Sequence, residues 1–186
     1  MKEMLQQLEE PLYFQEVEIS DLPDLDLYMD QIITLFSEKT QEPEGILTKT
    51  MINNYSKEGL LKPIKGKKYS KEHILQMLLI YRLKQTLSIQ QIKGVMQGII
   101  DEAAAKEISS RQMFEEVYGG YLISRENNRQ VMEQVLEVLL AKYPADDQKS
   151  AAELLMQLSW LSNTAKMMCD VLVESRFPIQ QKKKEK

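Results

Sequence analysis

The sequence predicts a mainly α protein, in which a small basic unit of helices with a two-stranded wing is followed by an all-helical region. Three observations predict it. Apolar residues recur at three- and four-residue spacing along most of the chain, the signature of helices with one buried face. Two short extended stretches flank a Lys-Gly turn within residues 60–69. Beyond Gly98 no strand-like alternation occurs. With 186 residues, 43% apolar and 28% charged, the composition is that of an ordinary globular chain with room for one good core or two small ones.

The elements follow in order. A short helix covers Lys2 to Glu9 and ends at Pro11, and Pro23 marks a second boundary after an arm. From Asp24 to about Lys39, Leu25, Tyr28, Ile32, Leu35 and Phe36 share one helical face, and the loop Gln41 to Gly45 ends that helix. Thr48 is a plausible N-cap for a helix running to about Ser56, which Gly59 terminates. Residues 60–69 form a small hairpin, or wing, around Lys65-Gly66. Ser70 caps a helix reaching about Gln85, and Ser88, with Gln91 at the capping-box position, starts the next. Three more helices are expected, from about Ser110 to Tyr118, Arg125 to Lys142 and Asp147 to Glu174. On the last, Leu154, Leu155, Leu158, Leu161, Ala165, Met168 and Leu172 approach a heptad seam, which can pack within the subunit or against a second copy. The expected organisation is an N-terminal helix and arm over 1–23, the wing-bearing unit over 24–97, and a helical region over 98–186 that ends in a basic tail.

The net charge of −4 conceals a strong segregation. Residues 1–48 carry 12 acids and 2 bases, whereas residues 49–97 carry ten bases against only Glu58 and Glu72. A basic island in an acidic chain points to a local polyanion-binding surface. The acidic N-terminus lacks the basic and apolar regions of a signal peptide, and no apolar run approaches the roughly 20 residues needed to span a bilayer, so a cytoplasmic protein that enters no membrane is expected. The lone cysteine, Cys169, permits no internal disulfide and sits among apolar neighbours that suit core packing.

The helix after Thr48 carries the functional argument. At 100° per residue, Lys49, Thr50, Asn53, Asn54 and Lys57 share one broad sector, and Met51, Ile52 and Tyr55 lie opposite. One face can dock on a core while the other presents amides, a hydroxyl and ammonium groups, the chemistry that meets base edges and phosphates in a major groove. Asn53 and Asn54 are the candidates for base reading, since an amide pairs bidentately with adenine; Lys49 and Lys57 suit phosphates. The wing adds Lys62, Lys65, Lys67 and Lys68 around a glycine. Four ammonium groups that close repel one another unless an anion shares the site.

The blocks Thr48 to Leu61, Lys67 to Glu72 and Leu87 to Ile92 resemble, in order, the N-terminal DNA-binding domain of MerR-family regulators, whose pattern is a capped helix ending in Tyr-acidic-basic-Glu-Gly-Leu-Leu, an aromatic and basic wing before a capping Ser, and a Leu-Ser-x-x-x-Ile helix start. More closely, the chain resembles an uncharacterised bacterial family of unknown function described as MerR-like. The resemblance to MerR proteins covers about 50 to 75 residues. It implies a winged helix-turn-helix with Thr48 to Lys57 as recognition helix, Lys65 to Tyr69 as wing, Tyr55 at their junction, and Tyr69 beside the DNA. Asn53 and Asn54 stand where MerR proteins commonly place a basic and an aromatic residue, so the operator does not transfer, and residues 98–186 imply no MerR-style metal or drug sensing.

The expected function is therefore a transcriptional regulator that binds double-stranded DNA, acting as a homodimer, with no cofactor. Catalysis is not expected: the only histidine, His73, reads as a partly exposed helix-start residue, and there is no Walker loop, GxGxxG or His/Cys ligand cluster. The alternative is an interaction module of the same shape that binds an acidic protein surface, or its own acidic N-terminal segment, through the lysines.

Overall fold

The computed structural model describes residues 2–39, 47–64 and 66–177. Seven helices dominate these residues: α1 (Lys2–Glu9), α2 (Met29–Lys39), α3 (Lys49–Lys57), α4 (Lys71–Leu83), α5 (Ile89–Ala105), α6 (Ser110–Lys142) and α7 (Gln148–Arg176). One two-stranded sheet pairs β1 (Leu27–Tyr28) with β2 (Lys68–Tyr69), antiparallel, Leu27 opposite Tyr69 and Tyr28 opposite Lys68. The loop Gln41 to Gly45, Lys65 and the basic tail lie outside the described residues.

The sequence of α4 explains its place at the centre. The run His73-Ile74-Leu75-Gln76-Met77-Leu78-Leu79-Ile80-Tyr81 leaves almost no polar stripe, and all nine residues are buried. Around α4 collect Ile32 and Phe36 of α2, Ile52 and Tyr55 of α3, Ile92, Met96 and Ile99 of α5, and Met113, Phe114 and Tyr118 of α6. The caps that start these helices are those the sequence calls for. Thr48 Oγ1 accepts the Met51 N–H at 3.2 Å, Ser88 and Gln91 exchange reciprocal bonds, and Asp147 accepts from Ser150 at 2.7 Å. Helix α3 stops in a Schellman motif: Gly59, at φ +69°, bonds back to Ser56 O while the Leu60 N–H reaches Tyr55 O at 2.9 Å.

Several boundaries differ from the expected ones. The helix placed from Asp24 starts at Met29, because residues 27 and 28 are taken by the sheet; Leu25 and Tyr28 therefore lie at the surface rather than on the buried face. The hairpin expected within residues 60–69 does not form. Its second strand finds its partner at Leu27–Tyr28, while the backbone of Lys62, in the first stretch, is held instead by polar side chains of α4. Buried Gln76 accepts the Lys62 N–H at 3.4 Å, and His73 Nε2 lies 3.2 Å from Lys62 O. His73, read as partly exposed, is thus buried: its Nδ1 accepts the Ser70 N–H at 3.1 Å, its Nε2–H faces the Lys62 carbonyl, and its ring meets Tyr69 edge-on.

Beyond residue 97 the expected division falls inside α5, and α6 runs unbroken through Gly119-Gly120, where two separate helices were expected. Two glycines cost a helix about 1 kcal/mol each, which packing readily overrides. At Gly119 a Cβ would stand 3.3 Å from Ile19 Cδ1, where the N-terminal arm crosses α6, and at Gly120 it would meet nothing within 4 Å. That arm is tied down by polar contacts as well. Glu16 pairs with Arg82 of α4 and accepts from the Tyr121 hydroxyl at 2.5 Å, and the buried Tyr118 hydroxyl donates to Val17 O at 2.8 Å. At the other end of the molecule α7 returns to α5. Phe177 lies on Gly98, where a Cβ would come within 2.5 Å of the ring, and Gln91 donates to Asp170 at 2.7 Å. No helix among the described residues is long and apolar enough to cross a membrane.

Candidate nucleic-acid interface

Helix α3 divides as its sequence requires. Ile52 and Tyr55 are buried against the core and Met51 is half-buried, while Thr48, Lys49, Thr50, Asn53, Asn54 and Lys57 are all exposed. The five of these within the helix span about 140° of its surface, with Thr48 at its cap, and from Lys49 to Lys57 the helix contains no acid. The hydroxyls, amides and ammonium groups of this face are therefore presented to solvent together. Among the described residues only Lys49 of this face is partly neutralised, by Asp30 at 2.6 Å. Both partners are more than half exposed, so the pair is weak and readily exchanged for another anion.

The lysines after α3 do not all join that face. Lys67 and Lys68 are exposed beside Gly66, whose φ of +71° makes the tight turn, and Lys68 Nζ stands 5.1 Å from the Tyr28 ring centroid. Lys65 is outside the described residues. Lys62 is spoken for: its Nζ lies 2.6 Å from Glu72 Oε1 and 2.7 Å from Ser110 Oγ, and its backbone is held by α4. Tyr69, expected beside the DNA, is 3% exposed and packs on His73. In β2 alternate side chains face opposite ways, and it is Lys68 that points out.

Two basic residues that the sequence reading left out of the site flank α3. Lys84, in the turn after α4, places Nζ 3.9 Å from Met51 Sδ at the start of α3. Lys93 of α5 donates to Glu58 O at 3.0 Å, at the end of the same helix. Both belong to the basic island, but their placement beside α3 depends on tertiary packing across 33 and 35 positions. Other members of the island are neutralised from within: Lys71 faces Asp24 at 3.5 Å and Glu115 at 3.8 Å, and Arg82 pairs with Glu16.

Behind the exposed face, the Tyr55 hydroxyl is buried without a hydrogen-bond partner among the described residues, and burial pushes its phenol up to about 12. A buried hydroxyl that makes no bond subtracts from stability. Tyr55→Phe is accordingly expected to raise the unfolding free energy by about 1 kcal/mol, read as a higher urea midpoint at unchanged slope; a loss of similar size would show that the hydroxyl has a partner.

A family described as a domain of unknown function (DUF1836) matches residues 17–118, more than half of the chain. The match begins and ends on the two residues joined by the Tyr118–Val17 hydrogen bond. No curated protein and no solved structure matches.

Proposed function

We propose that this chain, which belongs to the DUF1836 family, is a sequence-specific DNA-binding protein that regulates transcription through a MerR-like winged helix-turn-helix. In this reading α2 and α3 are the helix-turn-helix, α3 enters the major groove, and the turn leading into β2 is the wing. The observation that carries the proposal is the outward face of α3, where six exposed polar residues of the chain from 48 to 57 stand together and the acid that pairs there, Asp30 on Lys49, is itself exposed. Asn53 and Asn54 read base edges, Thr48 and Thr50 supply hydroxyls, and Lys49 and Lys57 meet phosphates. Lys67, Lys68, Lys84 and Lys93 extend the phosphate contacts on either side; Lys62 and Tyr69 are omitted because the fold already uses them. A helix of nine residues covers too few base pairs for tight discrimination, so two copies on an inverted repeat complete the reading.

One observation favours the alternative, an interaction module that binds an acidic protein surface. Asp30, Asp24 and Glu16, all from the acidic N-terminal segment, pair with Lys49, Lys71 and Arg82 of the basic island. The island thus accepts carboxylates within its own chain. Amide chemistry separates the two readings. Carboxylates are held by ammonium and guanidinium groups, whereas bidentate base recognition needs the asparagines.

The test is capture of genomic fragments by the purified chain over a series of salt concentrations, followed by measured binding to the enriched sequence. One enriched motif that survives moderate salt is expected. Asn53→Ala is expected to weaken binding to that motif by about 1–3 kcal/mol while leaving binding to unrelated duplex unchanged. Binding without preference that salt abolishes, or equal affinity for wild type and Asn53→Ala, would move the assignment to the protein-binding module.

A further inference from the structure

Helix α7 is strikingly bare for its length. Of its 29 residues only Leu154 and Val173 are buried, and from Leu154 to Ala165 it carries no charge at all. The heptad-like seam expected on it is used only in part: Leu154, Leu158 and Leu161 turn inward, whereas Leu155, Met168 and Leu172 stay exposed. A second row lies outward. Met156, Trp160, Met167 and Val171 fall within about 60° of one another at 100° per residue, and each is 59–67% exposed. Trp160 continues this row onto the adjacent helix, because it lines a groove of about 330 Å³ with Val131 and Val138 of α6. Those two valines are 56% and 70% exposed and stand seven residues apart, again on one face.

We propose that this α6–α7 face is the surface through which two copies of the chain associate, the hairpins of two protomers packing face to face into a four-helix arrangement. The area argues for a full interface. At roughly 100–150 Å² for each of these exposed side chains, the six expose about 700 Å², above the largest apolar patch usual on a monomer. A standard interface removes about 800 Å² from each partner, rim included. The charges argue for an identical partner. Those bordering the face are balanced within their own helices, Lys149 with Glu153 and Lys166 with Asp170 on α7, and Arg129 with Glu126 and Glu133 on α6. Among the described residues no excess of one sign remains along this edge to repel a second copy or to attract a partner of opposite charge. A two-fold axis also brings like residues together, so the Met and Trp side chains of one row meet the same row.

The interface does not depend on DNA binding, and its test omits DNA. Sedimentation of the full chain across the micromolar range is expected to show a monomer–dimer equilibrium. Trp160 is the single tryptophan, so its emission should move to shorter wavelength with the same concentration dependence. Trp160→Glu is expected to weaken association on the order of a hundredfold or more, with helical circular dichroism retained because the side chain is 63% exposed in the protomer. Val138→Glu, on the other helix, should do the same. A chain that stays monomeric throughout, a dimer that survives both substitutions, or a Trp160 emission that is blue-shifted at every concentration because another part of the chain covers it, would each overturn the proposal.

Discussion

Replacing Glu16 with alanine is expected to cost about 2–3 kcal/mol of folding stability, the usual result of removing a largely buried, charge-assisted hydrogen-bond acceptor. The Glu16 side chain is 7% exposed and meets both the Arg82 guanidinium and the Tyr121 hydroxyl, so its removal takes a largely buried acceptor from two elements at once. The Tyr121 hydroxyl would lose its acceptor at the same time. The loss is conformational as well as electrostatic. Glu16 precedes Val17, which is fully buried and whose carbonyl takes the Tyr118 hydroxyl, so the bridge to Arg82 fixes where the arm enters the core. Urea denaturation measures the effect. Glu153→Ala, which removes an exposed partner of Lys149, should shift stability by less than about 0.5 kcal/mol. If the two variants were equally mild, the arm would be an appendage and not part of the core.

That bridge also shows where sequence reading stops. Helix existence and caps were legible because they are local: Thr48, Ser88 and Asp147 each bond to a backbone N–H three residues on. The central position of α4 was only half legible, since an apolar run states that a helix is buried but not what buries it. What could not be read were pairings across long separations. Leu27–Tyr28 carries no signal distinguishing a strand opposite residues 68–69 from the first turn of a helix, because Leu25, Tyr28 and Ile32 fit helical spacing equally well. Gly119-Gly120 read as a break because glycine disfavours isolated helices, whereas here the packing of α6 on α4 and α5 carries the helix through both.

The candidate interface divides along the same line. The two faces of α3 follow from periodicity alone, and the outward set is found where the sequence placed it. The lysines beyond it are a different matter, because a basic count does not tell which cations are already paired. Lys62 is taken by Glu72 and Ser110, ten and 48 positions away, while Lys49 is only loosely shared with the exposed Asp30 of α2. Lys84 and Lys93 contribute to the flanks of α3 only because α4 and α5 bring them there. His73 is the sharpest instance. A lone histidine in a first helical turn reads as surface, yet both its ring nitrogens are engaged and it locks the residues that follow α3 onto α4.

The second large effect is expected at high pH, where the buried tyrosines should unfold the protein. Burial pushes the Tyr55 phenol up to about 12, and burial, with the Glu16 carboxylate adding to it, pushes Tyr118 up as well. A phenol is neutral when protonated, so a value raised above the ordinary 10 means that the folded chain holds this proton more tightly than the unfolded chain does. The corresponding stability is complete below about pH 10 and is lost as pH rises toward 12. Each group loses about 1.4 kcal/mol per pH unit over that window, so the two together should remove about 3 kcal/mol by pH 11. Against a total of roughly 5–15 kcal/mol, that is a substantial fraction. Urea midpoints measured at increasing pH would report the fall, and tyrosinate absorbance would rise in step with unfolding because the buried phenols ionise only when released. Tyr55→Phe separates the contributions: it should lower the slope above pH 10 by about 1.4 kcal/mol per pH unit while leaving Tyr118, and Tyr69, which burial also raises, to titrate. A stability that stayed level up to pH 11, or fell equally in wild type and Tyr55→Phe, would show that Tyr55 is not the buried group its position behind the α3 face makes it.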